Sequence, residues 1–296
     1  MPDYGRPLEF GVSVEPLAEP SGHAASVARV ADRTGLDLVG IQDHPYQRRF
    51  LDTWTLISTL VPVTGNVRFF PDVANLPLRP PAMLAKAAAS LDVISDGRVE
   101  VGLGAGAFWE AVVGMGGPRR SPGEAVRSTE EAMDVMRLVW SGERSLRFDG
   151  EFYSLKGMRP GPSPAHDIGL WVGAYGPRML GLVGRKADGW VPSLGFSPPE
   201  HLPEMHDRID EGAAKAGRDP SEIKRVYNVS GNIGPEGDGP LVGPARKWIE
   251  TRTGFVLEGG MDSFIFWPGE DHGRQTELFA REVVPGVREA VERGRL

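Results

Sequence analysis

Residues 36–46 read LDLVGIQDHPY. Leu36, Leu38, Val39 and Ile41 form the near-continuous apolar run of a buried strand. The run then meets Gln42, Asp43 and His44, and Pro45 stops it. An acid and a histidine at the end of a buried strand either decorate a turn or stand where chemistry is done. The choice depends on the architecture the strand belongs to.

Outward from this strand, apolar runs and helical periodicities alternate along the whole chain. Glu9–Val14 reads as the first strand and Ser21–Arg33 as the helix after it, with Val27, Val30 and Ala31 at helical spacing. After the second strand, Asp52 is an N-cap for a helix over Thr53–Leu60. Val67–Ala74 is a third strand that Pro71 interrupts, which predicts an edge, a bulge or an irregular bond. Pro80 and Pro81 open the helix Ala82–Ile94, and Arg98–Leu103 is the fourth strand. Ser121-Pro122 begins a long amphipathic helix to Trp140.

Further strands read at Ile168–Gly173, Asp188–Pro192, Lys224–Ser230 and Asp262–Trp267. Helices read at Pro177–Lys186, Pro199–Ala216, Ala245–Leu257 and Gln275–Arg293. Eight strand–helix units in order imply parallel pairing with right-handed crossovers. Their number favours an α/β (β/α)8 TIM barrel over an open doubly wound sheet. The expectation is one domain over residues 1–296, with a short hairpin excursion near 145–157 and a flexible loop near 231–240.

Composition narrows the function. A chain of 296 residues that is 40% hydrophobic and 25% charged is an ordinary soluble globular sequence. The absence of cysteine removes disulfides, thiol nucleophiles, cysteine-ligated zinc and iron–sulfur clusters together. A net charge of −7 carries no basic excess for nucleic acid. No apolar run reaches the ~18 residues of a membrane span, and the N-terminus lacks a signal pattern, so the expectation is a cytoplasmic protein.

In a barrel of this kind the active site lies at the carboxyl ends of the strands. Those ends carry Glu15, Asp43-His44, Asp72, Val73 and Asn75. The fourth strand runs into Gly104, Ala105, Gly106, Phe108 and Trp109, and the fifth into Gly173, Ala174, Tyr175, Gly176, Pro177 and Arg178. Glycine lets backbone approach a ligand closely. The second glycine turn opens a helix, where free N–H groups favour a phosphate and Arg178 can add a charge contact. A plain tight turn with proline at the first helical position is the alternative. "GLGAG" lacks the third glycine of a dinucleotide fingerprint and follows the wrong strand. No G-x-S-x-G and no Walker P-loop is present. His44 is a candidate general acid–base. A metal site is disfavoured because His23, His166, His201, His206 and His272 fall away from the strand ends.

The stretches LPLRPPAMLAKAAASLDVISDGRVEVGLGAG, GLGAGAFWE, LWVGAYGPRMLGLVGRKADGW and the QDH of the second strand together resemble the bacterial-luciferase-like superfamily. Its members are FMN- or F420-dependent oxidoreductases on a (β/α)8 barrel, and the resemblance covers most of residues 9–195. It implies a cofactor ring across the barrel mouth, with His44 near the reacting edge and Asp43 orienting it. By the same resemblance Asp72-Val73 falls where the family often has a bulge with a non-proline cis peptide that backs the ring. Asn75 would follow on the ring's side. Gly104, Ala105 and Gly106 would line the cofactor, and Gly173 to Arg178 would hold its phosphate. Glu15 and Trp109 would belong to the substrate pocket.

The chain departs from the family pattern in three places. Asp72 replaces the usual Gly or Ser of the bulge. Ala107 stands where the sugar-phosphate dehydrogenase branch has a glutamate, which argues against that activity. The long insertion of the luciferase subunits is not apparent, which argues against light emission. The Asp-His pair and the arginine-rich, lysine-poor usage resemble the F420 branch. The leading expectation is therefore hydride transfer between F420 and a small organic substrate, with an FMN-dependent monooxygenase as the first alternative. A non-catalytic barrel binding a phosphorylated ligand is the alternative from another class. The resemblance also implies a homodimer through the helices after the second and third strands.

Overall fold

A computed structural model describes residues 3–237 and 241–296. In chain order the first elements are β1 (Glu9–Val14), α1 (His23–Arg33), β2 (Leu38–Ile41), α2 (Thr53–Leu60), β3 (Arg68–Pro71), β4 (Ala74–Asn75), α3 (Pro81–Ser95) and β5 (Val101–Gly104). Then come α4 (Trp109–Gly114), α5 (Pro122–Trp140), β6 (Leu146–Asp149), β7 (Ser154–Met158), β8 (Leu170–Gly173) and α6 (Pro177–Lys186). The chain continues through β9 (Gly189–Trp190), α7 (Leu202–Lys215), β10 (Lys224–Ile233), β11 (Val242–Gly243) and α8 (Ala245–Leu257). It ends with β12 (Ser263–Pro268), α9 (His272–Leu278) and α10 (Val284–Arg295).

The main sheet runs β3-β2-β1-β12-β10-β9-β8-β5-β4, with every neighbour parallel. β3 and β4 are one barrel strand split at Asp72-Val73, where the peptide bond is cis. The ring closes through the parallel bridge between Phe69 and Val99. The third strand's proline thus marks a bulge, and the eight strand positions form the TIM barrel expected from the alternation.

Three layers fill the barrel, as the fold requires. At the floor, Arg68 donates to Glu9 at 2.6 Å and to Glu100 at 2.7 Å, and Lys224 pairs with Glu9. Above them Leu38, Phe70, Trp171, Val191, Val226 and Ile265 pack as an inner apolar core. The opposite faces of the strands (Phe10, Val12, Val39, Phe69, Leu103, Val172) join the larger core under the helices. The apolar middle layer seals the base of the mouth above it.

Several boundaries differ from the sequence expectation, for local reasons. The first helix begins at His23 because Gly22, with φ 85°, turns the chain just before it. β9 keeps only Gly189–Trp190 of the expected five-residue strand. The segment expected to be a flexible loop near 231–240 instead continues β10 to Ile233, paired with β11 and β12. Residues 238–240 of that expectation lie outside the described residues. The last helix divides: Phe279–Val283 is a π turn, which accommodates the missing N–H of Pro285. The expected excursion is the antiparallel hairpin β6–β7, docked where Glu131 accepts from the backbone N–H groups of Glu151, Phe152 and Tyr153. Among the described residues no helix is long and apolar enough to cross a membrane.

Candidate active site

The top layer of the barrel is built differently from the two below. Ser13, Gly40, Asp72, Gly173, Ser193, Asn228 and Trp267 occupy it, in place of bulky aliphatics. Glycines clear one side. A Cβ on Gly104 would lie 2.8 Å from a Val73 methyl, and one on Gly173 would lie 3.3 Å from it. The Val73 side chain therefore lies across the ends of β5 and β8, where a larger residue would displace it. Val73 and the bare backbone of Gly104 and Gly173 thus form one apolar face beside the bulge.

The other side is polar. Asp72 is 7% exposed, and its Oδ1 accepts from Asn228 Nδ2 at 3.1 Å. Asn228 Oδ1 in turn accepts from Trp267 Nε1 at 3.0 Å, which fixes the orientation of the amide. Asp72 Oδ2 is buried without a partner. Burial, opposed only by the Asn228 bond, pushes the carboxyl up to about 7.

His44 stands half-buried at the rim. Its Nδ1 lies 2.9 Å from Tyr46 Oη, and the two rings meet edge to face at 5.4 Å. Phe108 closes the other side, 5.7 Å from His44 and 6.0 Å from Tyr46. Phe108 adopts a left-handed backbone conformation with φ 51°. That costs a non-glycine residue ~1–2 kcal/mol, so the surrounding chain holds the ring there against a local preference. Burial holds the His44 imidazole below its ordinary value, and the Asp43 charge opposes the shift.

Asp43 does not orient His44 by contact. Its side chain is 1% exposed and is taken up by Arg79, whose Nε and Nη2 donate to Oδ2 and Oδ1 at 2.5 and 2.6 Å. Asp43 Oδ2 also accepts from the backbone N–H of Asn75 at 2.8 Å. The carboxylate thus staples the end of β2 to the segment after the bulge, while Arg79 reaches on to Asp52. The neighbouring backbone makes the same junction, with Asp72 N–H donating to Ile41 O at 2.7 Å.

The remaining residues singled out in the sequence divide into two groups. Gly104, Ala105 and Gly106 form the end of β5 and its loop, all half-buried. Asn75 is buried with its Oδ1 unpartnered. Ala174 O accepts from Trp190 Nε1 at 2.9 Å, and Tyr175 packs on Phe196 at 5.5 Å. Gly176 is the N-cap of α6 and Pro177 its first residue, and no side chain caps this helix. Arg178 is exposed and extends toward the start of α5, its Nη1 3.6 Å from where a Cβ on Gly123 would lie. Two residues have other neighbours. Trp109 folds back on its own loop, 2.5 Å from where a Cβ on Gly106 would be. Glu15 is half-buried beside His272, whose imidazole feels its charge.

Tyr46, Arg79 and Asn228 were not among the residues singled out in the sequence, and of the two aromatics after β5 it is Phe108 that packs on His44. Asn228 carried a signal, being a polar residue two positions after Val226 in a strand whose alternate side chains enter the barrel. Arg79 carried one too, as a lone cation between Pro77 and Pro80. Among the described residues no three His, Asp or Glu side chains converge where a metal ion could be held.

This geometry suits a flat ring with a phosphorylated tail. The face of Val73 would take the ring, the unpartnered Asn75 Oδ1 offers an acceptor to a polar edge, and the uncapped α6 terminus offers N–H groups to a phosphate.

Known proteins agree with the architecture. Residues 8–234 match the family described as luciferase-like monooxygenase. A 5,10-methylenetetrahydromethanopterin reductase of Methanolobus tindarius is 32% identical over 273 residues, covering 92% of this chain and 78% of the relative. An F420-dependent glucose-6-phosphate dehydrogenase of Kineococcus radiotolerans is 28% identical, covering 96% of this chain and 98% of the relative. The solved structure of an F420-dependent secondary alcohol dehydrogenase with an F420-acetone adduct superposes with a TM-score of 0.86 at 21% identity, covering 96% of this chain and 100% of that one. With a family match across most of the barrel and a relative aligned over nine-tenths of the chain, the protein belongs to the luciferase-like monooxygenase family.

Proposed function

We propose that the protein is an F420-dependent oxidoreductase that moves a hydride between the deazaflavin and a small organic substrate. One observation carries the reading: His44, with Nδ1 engaged by Tyr46, stands at the end of β2, which Asp43 and Ile41 tie to the Asp72–Asn75 bulge that also carries Val73. A hydride acceptor or donor bound over the bulge would have a proton-transfer group at the neighbouring strand end. The F420 named in the relatives supports the choice of ring. F420, when bound, would supply the two-electron chemistry.

The chain's own residues divide the remaining work. Val73, Gly104, Ala105, Gly106 and Gly173 would bind the ring, and the α6 terminus with Arg178 would hold its phosphate. Asp43 and Arg79 would hold the strand-two rim and the bulge in register. His44 would give or take the proton at the substrate atom. Tyr46 and Phe108 would exclude water from that atom, and Ala107 argues against a sugar phosphate as the substrate. Exposed Met83, Val93 and Ile94 on α3 (64%, 49% and 72%) support pairing of two copies through α2 and α3.

The test is a spectral titration of the purified protein with F420 and separately with FMN. Micromolar binding of F420 with weaker FMN is expected. Tight FMN binding without F420 would move the reading to a flavin monooxygenase, and binding of neither would end it.

A further inference from the structure

The sequence offered Asp43 as the partner of His44, yet Asp43 is occupied by Arg79 and the Asn75 backbone. The group that touches the imidazole is Tyr46, through Oη to Nδ1 at 2.9 Å. His44 Nε2 makes no hydrogen bond among the described residues and is not sealed from solvent. The imidazole therefore has one engaged nitrogen and one open nitrogen, and the open one is available to a ligand.

We propose that Tyr46 is the positioning residue of this site, setting which nitrogen of His44 carries the proton and thereby which proton transfer the rim performs. The proposal rests on the acid–base role given to His44 above.

Imidazole chemistry makes the partner decisive. A neutral ring has one N–H and one lone pair, and the hydrogen bond at one nitrogen selects the tautomer at the other. Burial, and then the Asp43 charge, push the Tyr46 phenol up, so at neutral pH it keeps its proton. Its O–H donates to Nδ1, and the mobile hydrogen of His44 then sits on Nε2, facing outward. In this state Nε2–H is the donor, and transfer of its proton to the substrate balances when the phenol proton of Tyr46 passes to Nδ1, leaving the charge on the phenol oxygen. To accept a proton at Nε2, His44 must instead carry hydrogen on Nδ1, and the phenol must rotate to accept from it. A phenol oxygen can do both, whereas the phenyl ring of phenylalanine can do neither. Among the described residues no other polar side chain is in hydrogen-bond contact with His44, and Phe108 packs on both rings from its left-handed position, which keeps the pair together.

The charged and titratable surroundings are few. Asp43 is adjacent in sequence and paired with Arg79, Tyr46 lies on the same loop, and the element packed from the β5 side presents the apolar Phe108.

The experiment pairs 15N-histidine NMR of the whole protein with kinetics of Tyr46→Phe. In the wild type, the His44 resonances should show the Nε2–H tautomer at neutral pH. A dominant Nδ1–H tautomer in the wild type would overturn the proposal without any variant. In Tyr46→Phe the tautomers should mix and the pH profile of kcat with F420 and a panel of short-chain ketones and alcohols should move. F420 affinity should stay within about twofold. The kcat should fall about tenfold or more, part of the ~10²–10⁴-fold that a positioned acid–base contributes. An unmoved tautomer and pH profile would refute the positioning role. If His44→Asn left turnover intact, the acid–base reading itself would fail, and the NMR result would still decide what Tyr46 does.

Discussion

Asp72 gives a prediction that depends on nothing bound. Its carboxyl lies in the top layer of the barrel, 7% exposed, with one oxygen on Asn228 and the other unpartnered. Among the described residues no cation compensates it there, so the folded state resists its ionisation, and its pKa is raised from 3.8 to about 7. The sign follows from proton counting. Between these two values the folded state holds the proton and the unfolded chain has released it. Stability from this group is therefore complete below about pH 4 and is lost as pH rises through about 7. A rise of roughly 3 pH units at ~1.4 kcal/mol each bounds the total near 4 kcal/mol, of which about 2–3 kcal/mol falls between pH 5 and pH 8. Asp72→Asn keeps an oxygen to accept from Asn228 and cannot titrate. Urea unfolding of both proteins at pH 5 and pH 8 cancels the other titrating groups. The variant's stability relative to the wild type should rise by about 2–3 kcal/mol from the lower to the higher pH. A difference that is flat with pH, or falls, would refute the burial of an uncompensated carboxyl at this position.

Two further outcomes follow from the rim. Asp43→Ala leaves Arg79 with Asp52 alone and a buried Asn75 N–H without its acceptor, so urea denaturation should show a loss of about 2 kcal/mol. If Asp43 acted only on His44, stability would be unchanged and only the pH profile of turnover would move. Arg178→Ala should weaken F420 several-fold while leaving the affinity for its phosphate-free deazaflavin fragment unchanged, measured by fluorescence titration. Equal weakening of both would place Arg178 outside phosphate binding.

The barrel was legible because its signals are local. Eight apolar runs separated by helical periodicity needed only neighbouring residues to be seen, and Pro71 announced the bulge that splits β3 from β4. The misreadings have physical causes. The glycines of 231–234 suggested a loop, yet pairing with β12 carries the strand through Gly231. The π turn depends on how a helix accommodates Pro285, which periodicity does not register. At the site, the strand end found His44 but not its company. Asp43 and Arg79 are 36 residues apart, and Asp72 and Asn228 are 156 apart, so their pairing exists only once the barrel closes. Which aromatic meets His44 was not legible for a smaller reason. Phe108 and Trp109 are adjacent, and which of them faces His44 is set by the left-handed turn at Phe108, which no propensity predicts.

The most direct measurement of the central claim separates binding from chemistry at His44. F420 affinity and single-turnover oxidation or reduction of the cofactor at 420 nm would be measured for the wild type and His44→Asn, with short-chain ketones and alcohols as partners. The account predicts that the variant binds F420 within about threefold of the wild type and turns over at least ~100-fold more slowly. A variant that binds equally and reacts at the wild-type rate would contradict it, and His44 would be a residue of the turn alone.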